Sequence, residues 1–113
     1  MGAGLEVEGR AGEHGPSPYA ERVLDLVECI PVGRVLTYGD IAEWLGAGGP
    51  RQVASVLSSY GGAAPWWRVL RADGTHAAVL RLRGMAALEA EGTPLTPDGT
   101  RVRMRLARWD PST

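Results

Sequence analysis

This sequence predicts a small, mainly α-helical single domain built around a helix-turn-helix, winged-helix-like core, and three observations predict it. Two short stretches with helical apolar spacing flank the glycine turn Gly46-Ala47-Gly48-Gly49. A longer amphipathic stretch precedes them over residues 18–29. Extended segments are short, one following the second of the paired helices and one near the C-terminus.

The first seventeen residues carry five glycines, one proline and only scattered apolar positions, so they are expected to form a disordered arm, with the domain itself over 18–113. The first helix is predicted from Ser17 or Pro18 to Cys29, because Val23, Leu24, Leu26, Val27 and Ile30 recur on one face opposite Glu21, Arg22, Asp25 and Glu28. Pro31 stops it, and Arg34-Val35-Leu36 reads as a short extended link. Thr37 suits the N-cap of a second helix, Tyr38 to Leu45, with Asp40 completing a capping box. Pro50 opens a third helix that runs to about Tyr60, with Val53, Val56 and Leu57 on one side and Arg51, Gln52, Ser55 and Ser58 on another.

Residues 65–70 read as extended, with Val69 and Leu70 packed, and Asp73-Gly74 as a turn. A last helix is predicted over about Leu82 to Ala90, capped by Gly92. Arg101 to Leu106 alternates charged and apolar side chains, which is the period of a half-buried strand.

Composition excludes several classes. An apolar run of about seven residues behind a basic start would be needed for a secretory signal, and about twenty for a spanning helix; neither occurs, which predicts a soluble, cytoplasmic protein. The single Cys29 cannot close an internal disulfide, and with only His14 and His76 beside it no metal-ligand spacing exists. Cys29 itself, at an apolar helix end, is expected to be a small buried hydrophobe.

Net charge is −1, but its distribution is uneven: three arginines and eight acids in residues 1–43, five arginines and one acid in 44–88, four of each in 89–113. The basic part is central, as a local patch for phosphate contacts requires. All twelve cations are arginine.

Six short motifs follow in register: Ile30-Pro31-Val32-Gly33, Thr37-Tyr38-Gly39-Asp40-Ile41-Ala42, Pro50-Arg51-Gln52-Val53, Pro65-Trp66-Trp67-Arg68-Val69, Asp73-Gly74 and Leu88-Glu89-Ala90-Glu91-Gly92. Together they resemble the DNA-binding domain of the O6-alkylguanine-DNA alkyltransferases over residues 18 to about 109. Those enzymes carry Pro-Cys-His-Arg-Val where this chain has Trp66 and Trp67. An indole is a hydrogen-bond donor only, so neither thiolate attack nor its activation by imidazole is available. The closer resemblance is therefore to the alkyltransferase-like proteins. It implies a non-enzymatic protein that binds O6-alkylguanine in double-stranded DNA through the minor groove, flips the nucleotide, and marks the lesion for nucleotide excision repair proteins. It also implies a monomer without cofactor.

Residue by residue, the resemblance assigns DNA contact to Thr37, Tyr38, Arg51, Gln52 and Ser55, with Tyr38 rotating the target phosphate and Arg51 filling the hole left by the base. It assigns the lesion pocket to Tyr38, Trp66, Trp67, Arg68, Val69 and Arg81, with Trp66 as the apolar wall. Trp67 stands where relatives keep histidine, and reads also as a packing residue. Arg68 fits either backbone carbonyls or phosphate, and Glu91, with no histidine to orient, reads as structural. The Gly-Asn-Tyr-Ser-like loop that closes the enzymes' pocket is replaced by Ala77-Ala78-Val79-Leu80. Two other readings stand beside this one. A sequence-specific winged-helix regulator would use the same helices in the major groove as a dimer, and residual alkyl transfer would need Cys29 as a thiolate in an electropositive setting.

Overall fold

The computed structural model describes residues 15–113, so the expected N-terminal arm lies almost wholly outside the described residues. Helix α1 spans Pro18–Cys29. Ser17 caps it, accepting from the Ala20 amide at 3.1 Å. Its buried face is Ala20, Val23, Leu26 and Val27, and it ends at Ile30, whose extended backbone is what a following proline demands. Cys29 is exposed, contrary to expectation. The reason is helical phase: Arg22, Asp25 and Cys29 share the solvent stripe, while Val23, Leu26, Val27 and Ile30 take the core.

Strand β1, Leu36–Thr37, runs directly into helix α2, Tyr38–Leu45. The capping box is complete: Thr37 Oγ1 accepts from the Asp40 amide at 2.9 Å and Asp40 Oδ2 accepts from the Thr37 amide at 3.0 Å. The turn to helix α3, Pro50–Tyr60, depends on Gly48, at φ +72°; a Cβ there would fall 2.5 Å from the Tyr19 hydroxyl oxygen. That hydroxyl donates to the Ala47 carbonyl and Arg22 donates to the Leu45 carbonyl, which fastens the turn to α1. Helices α2 and α3 pack on one another and on α1 as a helix-turn-helix.

Strand β2, Val69–Leu70, pairs in parallel with β1, Leu36 opposite Val69 and Thr37 opposite Leu70. Alternation across this pair divides the core. Leu36 and Val69 join Val23, Val27, Ile41 and Val53 in one cluster, while Val35 and Leu70 join Leu88, Val102 and Ala107 in the other. Helix α4, Arg81–Ala90, closes the second cluster and is entered through a 3-10 turn at Ala78–Leu80. Among the described residues no helix is long and apolar enough to cross a membrane.

Of the two extended segments expected from the sequence, the first is a strand only at Val69–Leu70 and the second is reduced to a single bridge. Trp66–Arg68 is a 3-10 turn, closed by the Arg68 amide donating to the Pro65 carbonyl at 3.1 Å. Within residues 101–106 only Val102 forms a bridge, with Leu95, before the chain winds into the short helix α5, Met104–Ala107; Arg108, beyond it, bridges Val35 in parallel. The facing segment contains Pro94 and Pro97, which have no N–H to extend a ladder. One antiparallel bridge therefore stands in place of a wing strand.

Candidate nucleic-acid interface

Helical periodicity organises the site along α3. Positions three, four and seven apart share a face, so Arg51, Ala54, Ser55 and Ser58 form one stripe, of which Arg51, Ser55 and Ser58 are exposed. Ala54, Leu57 and Ser58 form one wall of a cavity of about 550 Å³. Tyr38 and Trp66 form another, and Ala77, Val79, Leu80 and Arg83 the rim toward α4. Arg51 thus sits one turn N-terminal to the wall residue Ala54.

Trp66 is half-buried and braced edge-on by two rings, Trp67 at 5.8 Å and 84° and His76 at 5.8 Å and 72°. The Arg83 guanidinium lies over its ring at 5.5 Å from the centroid. Tyr38 is half-buried, and burial pushes its phenol above the usual value, with the Arg71 charge opposing. At neutral pH it therefore keeps its proton and can donate to a phosphate oxygen.

The structure separates the residues expected in the pocket. Tyr38 and Trp66 line it. Trp67 does not: it packs on the second core cluster and its Nε1 donates to Glu91 Oε2 at 2.9 Å. Arg68 is turned inward, donating to both Glu91 oxygens at 3.0 and 2.7 Å and to the Ile30 carbonyl at 2.8 Å. That geometry selects the carbonyl over the phosphate for Arg68. The Arg68 hydrogen bond holds the Glu91 carboxyl below its ordinary value against the opposing effect of burial, with further help from Trp67, the Arg68 charge and the Gly33 amide. Val69 is fully buried in the first cluster. Arg81 is exposed and is not among the lining residues; Arg83 holds that place. Because α4 begins at Arg81, Leu80 and Arg83 stand three apart on one face, and that spacing was the available signal.

The residues expected on DNA divide similarly. Arg51 and Ser55 are exposed on the α3 stripe. Gln52 is exposed, with Oε1 accepting from the Gly49 amide at 2.9 Å, so it also fixes the start of α3. Thr37 is buried and its hydroxyl is committed to the α2 cap. Sequence reasoning missed Arg71 beside Tyr38, Arg83, and His76, which is buried behind Trp66. Of the five arginines between 44 and 88, Arg68 is engaged internally and Arg51, Arg71, Arg81 and Arg83 are exposed.

A helix-turn-helix whose second helix presents an exposed stripe of Arg51, Ser55 and Ser58 beside an aromatic-walled cavity defines a class of nucleic-acid-reading domain. The model of the 6-O-methylguanine DNA methyltransferase DNA-binding domain matches residues 18–93. The chain is 36% identical over 103 residues to a DNA base-flipping protein of Escherichia coli K12, covering 81% of this chain and 74% of that protein. It is 33% identical over 99 residues to a DNA base-flipping protein of Vibrio parahaemolyticus, covering 80% and 94%. The structure of S. pombe Atl1 in complex with damaged DNA containing O6-carboxymethylguanine superposes with a TM-score of 0.70 at 29% identity, covering 81% of this chain and 94% of that one. The chain belongs to the 6-O-methylguanine DNA methyltransferase DNA-binding-domain family, as an alkyltransferase-like protein.

Proposed function

We propose that this protein recognises O6-alkylguanine in duplex DNA by minor-groove binding and nucleotide flipping, without transferring the alkyl group, and so marks the lesion for nucleotide excision repair. The observation that carries this reading is the cavity of about 550 Å³ opening beside the exposed stripe of α3, with the indole of Trp66 in its wall. The names of the relatives and the damaged DNA in the S. pombe complex point the same way.

A guanine cannot be inspected at O6 inside the stack, so it must be extruded, at a cost of a few kcal/mol that is lower when alkylation has weakened its pair. Arg51, at the N-terminus of α3, supplies a planar cation to take the vacated place. Tyr38, on the cavity wall, donates to the rotated phosphate. Trp66 offers a stacking face worth about 1 to 3 kcal/mol per base, and Arg71, Arg81 and Arg83 add phosphate attraction that weakens with salt.

Chemistry stops at binding because no cavity-lining side chain is a nucleophile paired with a base: the nitrogen lone pair of the Trp66 indole is delocalised into the ring and cannot accept an alkyl group as a thiolate does, and Glu91 is engaged by Arg68 and Trp67. Cys29 is at the exposed end of α1 and is not among the lining residues. Titration of duplexes with and without one O6-methylguanine, followed by tryptophan fluorescence, tests the proposal. Tighter binding to the lesion is expected, with no methyl mass added to the protein. Equal affinities would overturn lesion recognition, and an added methyl would overturn the absence of transfer.

A further inference from the structure

We infer that His76 is the positioning residue of the lesion pocket: a neutral, buried imidazole that locks the Trp66 wall to α4, so that lesion binding depends on its staying neutral. This rests on the reading of Trp66 as the wall of a flipped-base pocket.

His76 is 1% exposed, deep behind the cavity wall. Its Nε2 lies 2.8 Å from the Trp67 carbonyl oxygen. A carbonyl only accepts, so Nε2 carries the hydrogen and Nδ1 is left as a lone pair, buried and without a hydrogen-bond partner. The ring meets Trp66 edge-on at 5.8 Å. On α4 it lies against Gly84, where an added Cβ would fall 2.5 Å from both Cε1 and Nδ1. One imidazole therefore joins three parts: the 66–68 turn through a backbone carbonyl, the indole that walls the cavity, and the helix that carries Arg83. An aliphatic residue of similar volume could fill the space, but it would leave the Trp67 carbonyl without its donor.

The same geometry makes the clip sensitive to protonation. A second hydrogen would sit on Nδ1 with no acceptor and bring a positive charge into the interior. Helix α4 carries Arg81, Arg83 and Glu89, all exposed, Asp73 on the segment before it is taken up by Thr75, and in the Arg68–Glu91 pair beyond Trp67 the Glu91 oxygens are already taken by Arg68 and Trp67. Burial holds the imidazole below its usual value, the bond to the Trp67 carbonyl opposes this, and the Arg81 charge lowers it further. Acidification then forces the ring either to hold a buried cation or to leave, and leaving removes the edge support of Trp66.

The test measures the ratio of affinities for O6-methylguanine and unmodified duplexes, from about pH 7.5 down to about pH 5.5, for the parent, His76→Gln and His76→Leu, each first shown to fold by thermal melting. Gln can donate to the Trp67 carbonyl but does not titrate; Leu can do neither. The parent ratio is expected to fall on acidification. His76→Leu should lower it about fivefold or more at neutral pH, and His76→Gln should recover most of that loss with a flat pH profile. A parental pH slope retained in His76→Gln, or a parental ratio in His76→Leu, would overturn the assignment. If the parent shows no lesion preference at neutral pH, the proposed function fails, and tryptophan emission of the free protein decides His76. An acid transition that His76→Gln abolishes supports the positioning role, whereas a transition in both, or in neither, overturns it.

Discussion

The guanidinium of Arg83 lies over the indole of Trp66, 5.5 Å from its centroid, and both side chains line the same cavity. A planar guest that reaches that indole must displace the guanidinium from the ring or stack against it, and either way meets a cation with five N–H donors. The rest of the α4 side of the rim is apolar, with Val79 86% exposed and Ala77 and Leu80 beside it. Arg83 is therefore the group that can add polar discrimination to an otherwise apolar wall.

Arg83→Ala is expected to weaken lesion binding by about 0.5 to 1 kcal/mol for a neutral alkyl group, the range for a cation–π contact between its guanidinium and the bound base at an accessible site. The loss should be larger for a guanine whose substituent carries a carboxylate. Fluorescence titration against both lesions checks this, and an equal loss for the two would remove Arg83 from contact with the substituent.

Arg51 stands on the α3 stripe one turn before Ala54, at the end of the helix nearest the duplex in the proposed complex. Arg51→Ala should cost about 1 to 3 kcal/mol in lesion binding, borrowed from arginine base contacts. Because its side chain is exposed, the melting temperature should stay close to that of the parent. A binding loss matched by a loss of fold would mean that Arg51 is structural.

The helices were legible in the sequence because their signals are local: Thr37 with Asp40, Ser17 before Pro18, and Pro50 after the glycine turn each fix a boundary through neighbouring backbone amides. Tyr38 and Trp66 were also legible as cavity residues, through the motifs that carry them. What escaped depends on contacts distant in sequence. The inward turn of Arg68 follows from Glu91, 23 residues on, and the burial of His76 follows from a glycine at 84. Arg81 is the arginine nearest the loop beyond Asp73-Gly74, but the one that lines the cavity is Arg83, two residues on and so about 200° further round α4. The alternation of Arg101 to Leu106 has the period of a strand, yet period alone cannot supply a partner with free amides.

The Glu91 carboxylate joins the 66–68 turn to the end of α4 through Arg68 and Trp67. Its acidity is raised by folding, so its contribution to stability is present above the ordinary value near 4.5 and is lost as pH falls through the lower folded value. Glu91→Gln should destabilise by about 1 to 3 kcal/mol at neutral pH, as an impaired hydrogen bond to a charged group does, and the gap to the parent should close in acid. Asp98, pushed down to about 2 by the hydroxyls of Thr96 and Thr100 and the Thr100 amide, titrates in both proteins and cancels in the difference. Denaturant melts across the acid range provide the check; a gap that is constant with pH would mean the charge of Glu91 is irrelevant.

Gly84 lies inside α4, where alanine would ordinarily stabilise by about 1 kcal/mol through helix propensity. Here a Cβ would fall 2.5 Å from two atoms of an imidazole whose other edge is fixed on the Trp67 carbonyl. Overpacking of a fixed core typically costs about 1 to 3 kcal/mol, and the obstacle is a rigid ring rather than a flexible chain end, so the steric effect wins and Gly84→Ala should destabilise. The same substitution made in a His76→Ala background has no ring to meet, and propensity alone should then stabilise it. Midpoints of chemical denaturation for the two singles and the double variant give the coupling directly. Additive effects would mean that Gly84 is small for a reason other than His76.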